Sequence, residues 1–600
     1  MVLLNGVAHL YSLNHPTAEH DETASQHALN DIQIGFPDLQ KIRQRMYFDL
    51  LSHWLQECDT NHAQCAPRNN SLGSSGRPIL PTRLVDVDSS KGGGDTVRLL
   101  ATASIPAFKL TYNCRYIALS YPWGSGLHNE HFCTTRENLT SRIQDGIPVA
   151  DLPATLRDAV TVTRALGIRY LWIDTICIIQ GPNGDFDTEA RLMETVFSLA
   201  YCVLAASRAS GTSSGFLSRN RGNREFIALD PPPNSPRGSS TLYITTPLDD
   251  FQSQVIDGPL NQRGWVLQER ALARRTIHFA SAQTYFECGA GVRCETLAKM
   301  TNNQAAFLGD PNFPTVALKA SKGGKIRLYE RLYKTYSALQ FTKMWDRPIA
   351  IAGLEQRLVW AFNTHGGYGV FDGQFFGRSL LWKREENLGN GNANVLVGGA
   401  EAGANKEKGM MPIKFPLGDR RYYHVPTWSW MAYEGVIGFV DAPFDGVEWQ
   451  HREEEGVLSP WGRLAGREKA IQGDENEGEH MASSEAAVWH TGKANEQTVL
   501  RAVGRELAVS LEEAASKIVY DGGKNVVKAE MVDDVRVVIV GRQKTNSRQA
   551  GNLDTLQHYV LVVGRIEEES VGMTYRRLGV GVIAGRWIKK EERGEKIVIV

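Results

Sequence analysis

Tyr170-Leu171-Trp172-Ile173-Asp174 is an apolar run that ends in a carboxylate. Open α/β sheets present polar groups to a ligand in this way, along the carboxyl ends of their strands. Two nearby runs end alike: Arg115 to Ser120 stops at a hydroxyl, and Cys202 to Ala206 leads into Ser207. On one parallel sheet, Ser120, Asp174 and Ser207 would share an edge. The loops beyond carry Trp123-Gly124-Ser125-Gly126 and Ser210-Gly211. Glycine there permits close backbone approach, and Trp123 offers a stacking face. A plainer account needs no ligand: Asp174 caps a turn and Ser120 bonds a local amide.

Other candidates carry a similar double reading. Glu189 stands at the start of a helix-like segment, where the helix dipole favours an acid without any catalytic role. Arg263-Gly264-Trp265-Val266-Leu267-Gln268-Glu269-Arg270 is dense in charge. Either arginine could pair with Asp174 or Glu189, and Glu269 could equally form a structural ion pair. Cys58, His62 and Cys65 follow a Cys-x3-His-x2-Cys pattern, but the sequence offers no evident fourth ligand, so no metal is expected. Cys177 lies in an apolar run and reads as a small buried hydrophobe. A Walker lysine loop and a paired-histidine zinc helix are both missing, so conventional zinc-hydrolase and nucleoside-triphosphatase readings lack support.

The elements that must position these residues alternate in type. Arg115–Ser120, Ile168–Ile173 and Cys202–Ala206 read as buried strands. Between them, Pro153 suits a first helical turn and Gly167 a C′ stop, and a second helix is expected over Glu189–Ala200. Alternating strands and helices imply a parallel sheet covered on both faces. Before it, 41–58 reads as a helix, and 84–87 with 97–100 as a hairpin about Gly92-Gly93-Gly94. After it come a helix over 262–273, strands at 276–279 and 284–287, and a helical stretch over 326–363. The segments 535–540, 559–563, 578–583 and 596–600 read as strands. Residues 1–40, 67–77, 386–411 and 452–498 read as irregular.

The chain has 600 residues, too many for one core. A formal net charge of -1 speaks against a general nucleic-acid binder. The amino terminus lacks a signal-peptide pattern, and no apolar run is long enough for a membrane span. Eight cysteines in this length do not suggest a disulfide framework, so a cytoplasmic setting is expected.

Four blocks, in order, carry a resemblance. They are Tyr116-Ile117-Ala118-Leu119-Ser120-Tyr121-Pro122-Trp123-Gly124; Leu152-Pro153 with Asp158-Ala159 and Leu171-Trp172-Ile173-Asp174 through Gln180; the helix bearing Glu189, Met193 and Ala200; and Arg263 to Arg270. Together they resemble the fungal heterokaryon-incompatibility (HET) domain over roughly 116–290, although Phe197 stands where that family usually has Tyr. Trp54 to Cys65, Asp346-Arg347-Pro348 and Pro426-Thr427-Trp428-Ser429-Trp430 resemble segments that often flank it. The resemblance implies an α/β, parallel-sheet HET domain distantly similar to Toll/interleukin receptor domains, with helical and β-rich C-terminal regions.

It also implies nonself recognition and programmed cell death, through protein partners or self-association. Some members of the wider receptor-like group cleave NAD with a helical glutamate. By that analogy Glu189 and Asp174 are the catalytic candidates, while Ser120, Trp123, Gly124, Arg263 and Glu269 line the binding cleft. No resident cofactor is expected, NAD entering only as a substrate of this enzymatic alternative. The expected divisions are a lead-in over 1–100, the HET domain over 101–300, a mainly helical region over 301–435, a disordered charged segment over 436–498 and a β-rich region over 499–600.

Overall fold

A computed structural model of the chain describes residues 9–12, 33–34, 44–66, 79–88, 95–104, 114–124, 132–218, 226–229, 233, 242–245, 250–295, 299–300, 315–385, 409–415, 425–451, 456–461, 499–522, 534–545, 554–566, 573–589 and 594–600. The loop at 67–77, the triple-glycine turn, Ser125-Gly126 and most of 1–40, 386–411 and 452–498 lie outside the described residues. The chain divides into two compact units, Met1–Val316 and Ala317–Val600.

The first unit is built on a ten-stranded mixed sheet. Its elements are helix α1 (Gln44–Asn61), strands β1 (Arg83–Asp86), β2 (Thr96–Ala101), β3 (Tyr116–Ser120) and β4 (Ile147–Pro148), helix α2 (Ala154–Ala165), strand β5 (Tyr170–Trp172), helix α3 (Phe186–Leu199), strand β6 (Cys202–Ala205), helix α4 (Gly264–Leu272), and strands β7 (Arg275–Phe279), β8 (Thr284–Cys288), β9 (Gly291–Cys294) and β10 (Lys299–Met300). The strand order is β10-β9-β8-β7-β6-β3-β5-β1-β2-β4. The central run β7-β6-β3-β5 is parallel, and antiparallel strands flank it on both sides. A parallel sheet is expected from the alternation of strands and helices, and only the central run is parallel. The flanks are hairpin-like, and short connections can join only antiparallel strands.

The parallel core follows from its residues. Every residue of β3 and of β6 is buried, as helices on both faces require. Helix α2 begins after Pro153 and ends in a Schellman motif. Gly167, at φ +68°, donates to Arg164 O at 3.0 Å, and Ile168 donates to Thr163 O at 3.1 Å. Helix α3 starts three residues before Glu189. The Asp185 carboxylate that precedes it accepts the Ile179 amide at 2.8 Å and the Arg83 guanidinium at 2.5 Å. Helix α1 lies against the antiparallel flank, with Trp54 stacked on Phe286 at 5.9 Å and Tyr47 hydrogen-bonded to Thr284 at 2.7 Å.

The second unit joins helices α5 (Lys322–Ser337) and α6 (Ala352–Phe362) with strands β11 (Leu500–Arg505), β12 (Val535–Gln543), β13 (Gln557–Arg565), β14 (Thr574–Ala584) and β15 (Glu595–Ile599). These five strands pair in sequence, and β11 pairs back onto β12, so they close into a barrel. Alternate residues of β12 feed two separate clusters: Val538 and Val540 enter one, Val537 and Ile539 the other. Both faces are therefore covered, which accounts for the unbroken apolar run in the sequence. The family-like segments that follow the domain lie deep in this unit. Arg347, Trp428 and Trp430 are buried, and Arg347 donates to Ser337 O at 2.7 Å. No helix among the described residues is long and apolar enough to cross a membrane.

Candidate functional site

Strand β5 stops at Trp172, and Asp174 opens a one-turn helix, Asp174–Cys177. Asp174 Oδ1 accepts the adjacent Thr175 amide at 2.7 Å. The carboxylate also does more. Oδ1 accepts the Tyr121 hydroxyl at 2.7 Å, and Oδ2 accepts Trp123 Nε1 at 2.6 Å. Both donors come from the loop after β3, so Asp174 ties two adjacent strand ends together. Tyr121 meets Thr175 Oγ1 at 2.8 Å as well. Trp123 thus spends its indole N–H on Asp174.

Arg263, just before α4, donates to Tyr121 O at 2.8 Å and faces both Asp174 and Glu269. Glu269 lies on α4 against Ser120, whose buried hydroxyl lacks a well-aligned partner. Burial pushes the Glu269 carboxyl up to about 7, and the like charge of Asp174 adds to the effect. Burial also raises Asp174, against the hydrogen bonds from Tyr121 and Trp123 that hold it down. The site is therefore a carboxyl pair beside one guanidinium, a standard way to hold a proton near neutral pH.

Gly124, at φ +89°, sits where the loop after β3 meets the loop after β6. A Cβ on Gly211 would come within 3.0 Å of Gly124 Cα. The two glycines let these loops touch, and the Thr212 amide donates to Trp123 O at 3.3 Å across the junction. Ser207 is buried at the end of β6.

Ser120, Trp123, Gly124, Asp174, Arg263 and Glu269 are thus gathered on one sheet edge. Glu189 is placed elsewhere. It is buried in the first turns of α3, 3.6 Å from the Arg83 guanidinium and bonded to Thr82. Arg83 also holds Asp185 and donates to Cys177 O at 2.6 Å. Cys177 is fully buried and feels the charges of both Asp174 and Glu189.

Arg270 pairs with neither Asp174 nor Glu189. It forms two bonds, of 2.8 and 2.9 Å, to Glu287, whose carboxylate also meets His278 Nε2 at 2.9 Å. Burial opposes ionisation there, yet Arg270 and His278 hold the Glu287 carboxyl well below its ordinary range. This triad adjoins a crevice lined by Ser120, Ala205, Asn261, Thr276 and His278, with room for roughly one water. Its available sequence signal is the pair Thr276 and His278, polar residues two apart on one face of a buried strand.

The Cys58-His62-Cys65 run is met by Cys288 at the opposite edge of the sheet. Residues 116–269 match the family model described as heterokaryon incompatibility protein (HET), a span that opens on β3 and closes on Glu269. No curated protein and no solved structure matches the chain. The residues that assemble the carboxyl pair therefore belong to one recognisable module, and the chain carries a heterokaryon-incompatibility domain over 116–269.

Proposed function

We propose that this chain is a heterokaryon-incompatibility-type signalling protein that acts in fungal nonself recognition and sets off programmed cell death. The observation that carries the reading is the family match over 116–269, which takes in every residue of the carboxyl-pair site. The geometry favours signalling over chemistry. Asp174 is occupied by three donors, and the adjoining crevice has room for roughly one water. In this reading the site locks two loops and α4 together, and protein partners or further copies of the chain act on that arrangement in the cytoplasm. The parallel run β7-β6-β3-β5 supports a distant likeness to Toll/interleukin receptor domains. The test is inducible expression of the full chain in a filamentous fungus, scored by viability stain. Cell death is expected, with its loss in Asp174→Asn. Unimpaired growth of cells making the folded full chain refutes the reading.

One observation favours a second reading, cleavage of the nicotinamide–ribose bond of NAD. Glu269 holds its proton up to about 7 beside Asp174 and Ser120, a poise suited to acid–base work. Here Glu269, rather than Glu189, is the acid, and the loops must open to admit the substrate. Full-length protein incubated with NAD should then release nicotinamide, and Glu269→Gln should abolish release while Glu189→Gln retains it. Absence of nicotinamide from active, death-inducing protein rejects this reading alone.

A further inference from the structure

We propose that Cys58, His62, Cys65 and Cys288 form a structural zinc site that staples helix α1 to the β8–β9 hairpin. Their ligand atoms all lie within 4.8 Å of one another, and Cys288 Sγ is 3.4 Å from His62 Nδ1. A tetrahedral zinc with Zn–S of about 2.3 Å and Zn–N of about 2.1 Å sets ligand-to-ligand edges of roughly 3.6–3.8 Å. The four donors are already spaced for one ion.

Local structure accounts for the assembly. Cys58 lies in the last turn of α1, and His62 follows one turn later, its amide bonded to Cys58 O at 3.2 Å. Residues 58 and 62 therefore share a face. A short 3-10 turn, Ala63–Cys65, then folds Cys65 back, its amide donating to His62 O at 2.8 Å. Cys288 closes the set from the end of β8, where the chain turns into β9. The three cysteines are buried and the histidine is half-buried.

The surroundings suit a bound cation with three thiolates. That complex carries one net negative charge, and Arg275, buried, sits directly across the β7–β8 register from Cys288. Its Nη2 pairs with Asp59 at 2.5 Å, while Nε and Nη1 have no hydrogen-bond partner among the described residues. The Ala290 amide donates to Cys288 Sγ at 3.4 Å, the kind of outer contact that stabilises a ligating thiolate. Soft sulfur with imidazole selects zinc over the oxygen-seeking divalent cations. All four positions are filled by protein, so the site offers no open coordination position and is structural. A disulfide between two of the thiols would instead leave the third and the imidazole converging on nothing.

The test uses the full chain, purified without chelator. One zinc per chain is expected by elemental analysis. Replacement of that zinc by Co(II) should give thiolate-to-cobalt charge-transfer bands and the intense visible bands of a tetrahedral site. Cys288→Ser should lower zinc affinity at least tenfold, whereas Cys114→Ser, a thiol outside the cluster, should leave it unchanged. The cobalt spectrum of the unaltered chain decides the matter even if Cys288→Ser fails to fold. Folded protein that holds no zinc and shows no cobalt–thiolate band overturns the proposal. So does a Cys58–Cys65 or Cys58–Cys288 disulfide found by peptide mapping, or equal zinc loss in Cys114→Ser and Cys288→Ser.

Discussion

Glu269 ordinarily titrates near 4.5, and in the fold its carboxyl is pushed up to about 7, first by burial and then by Asp174. The folded chain thus keeps a proton that the unfolded chain has released. The stability this contributes is whole below the ordinary value and is lost as pH rises through about 7. Glu269→Gln is neutral throughout, so its Tm relative to the unaltered protein should climb between about pH 5 and pH 8. A difference constant across that window, read by thermal unfolding of the full chain, would show that Glu269 carries no such proton. Asp174→Ala makes the complementary case. It leaves Trp123 Nε1 without its acceptor and the Tyr121 hydroxyl with Thr175 alone, and a loss of about 1–3 kcal/mol in urea unfolding is expected. At this scale the sequence was a partial guide. The carboxylate after β5 and the hydroxyl ending β3 stand out by type and place. That Asp174 is engaged by its own neighbours, and that Glu189 turns toward Arg83, depends on side-chain directions set by packing.

Among the elements, what was local was readable. Pro153 and Gly167 bracket α2 because their backbone preferences act within a turn. The flanks of the sheet were not readable in the same way. Nothing near Tyr170 announces that β1 pairs beside it, with Val85 opposite Leu171. The fourth donor of the Cys3His cluster stands 226 residues from His62, so no spacing rule could have found it. The glycine junction gives an element-scale prediction. Gly211→Ala puts a methyl 3.0 Å from Gly124 Cα, against backbone that has little room to yield. A destabilisation of about 1–3 kcal/mol is expected, together with a change in Trp123 emission as its loop is displaced. An unperturbed melt and spectrum would mean that the loops can part at little cost.

The whole molecule is two compact units. In the second, Arg577 is fully buried, pairs with Asp521 at 2.9 Å, donates to Leu380 O at 2.8 Å and lies 3.4 Å over the Trp382 ring. Arg577→Met leaves the buried Asp521 without its ion-pair partner, for a cost of about 3–5 kcal/mol. Amide exchange should show lost protection across β12 to β15 and none across β3, β5 and β6. Equal loss in both sets would mean that the units unfold as one. The mixed sheet of the first unit has a practical corollary for anyone who trims this protein. The matched span, 116–269, omits β1 and β7, the partners of β5 and β6. A fragment cut at those boundaries would present two rows of unsatisfied backbone amides and carbonyls, a template for sticking to its own copies. Oligomers seen with such a piece would report the scissors rather than the signal, and an excision reaching from β1 to β10 is the shortest one that keeps all ten strands of the sheet.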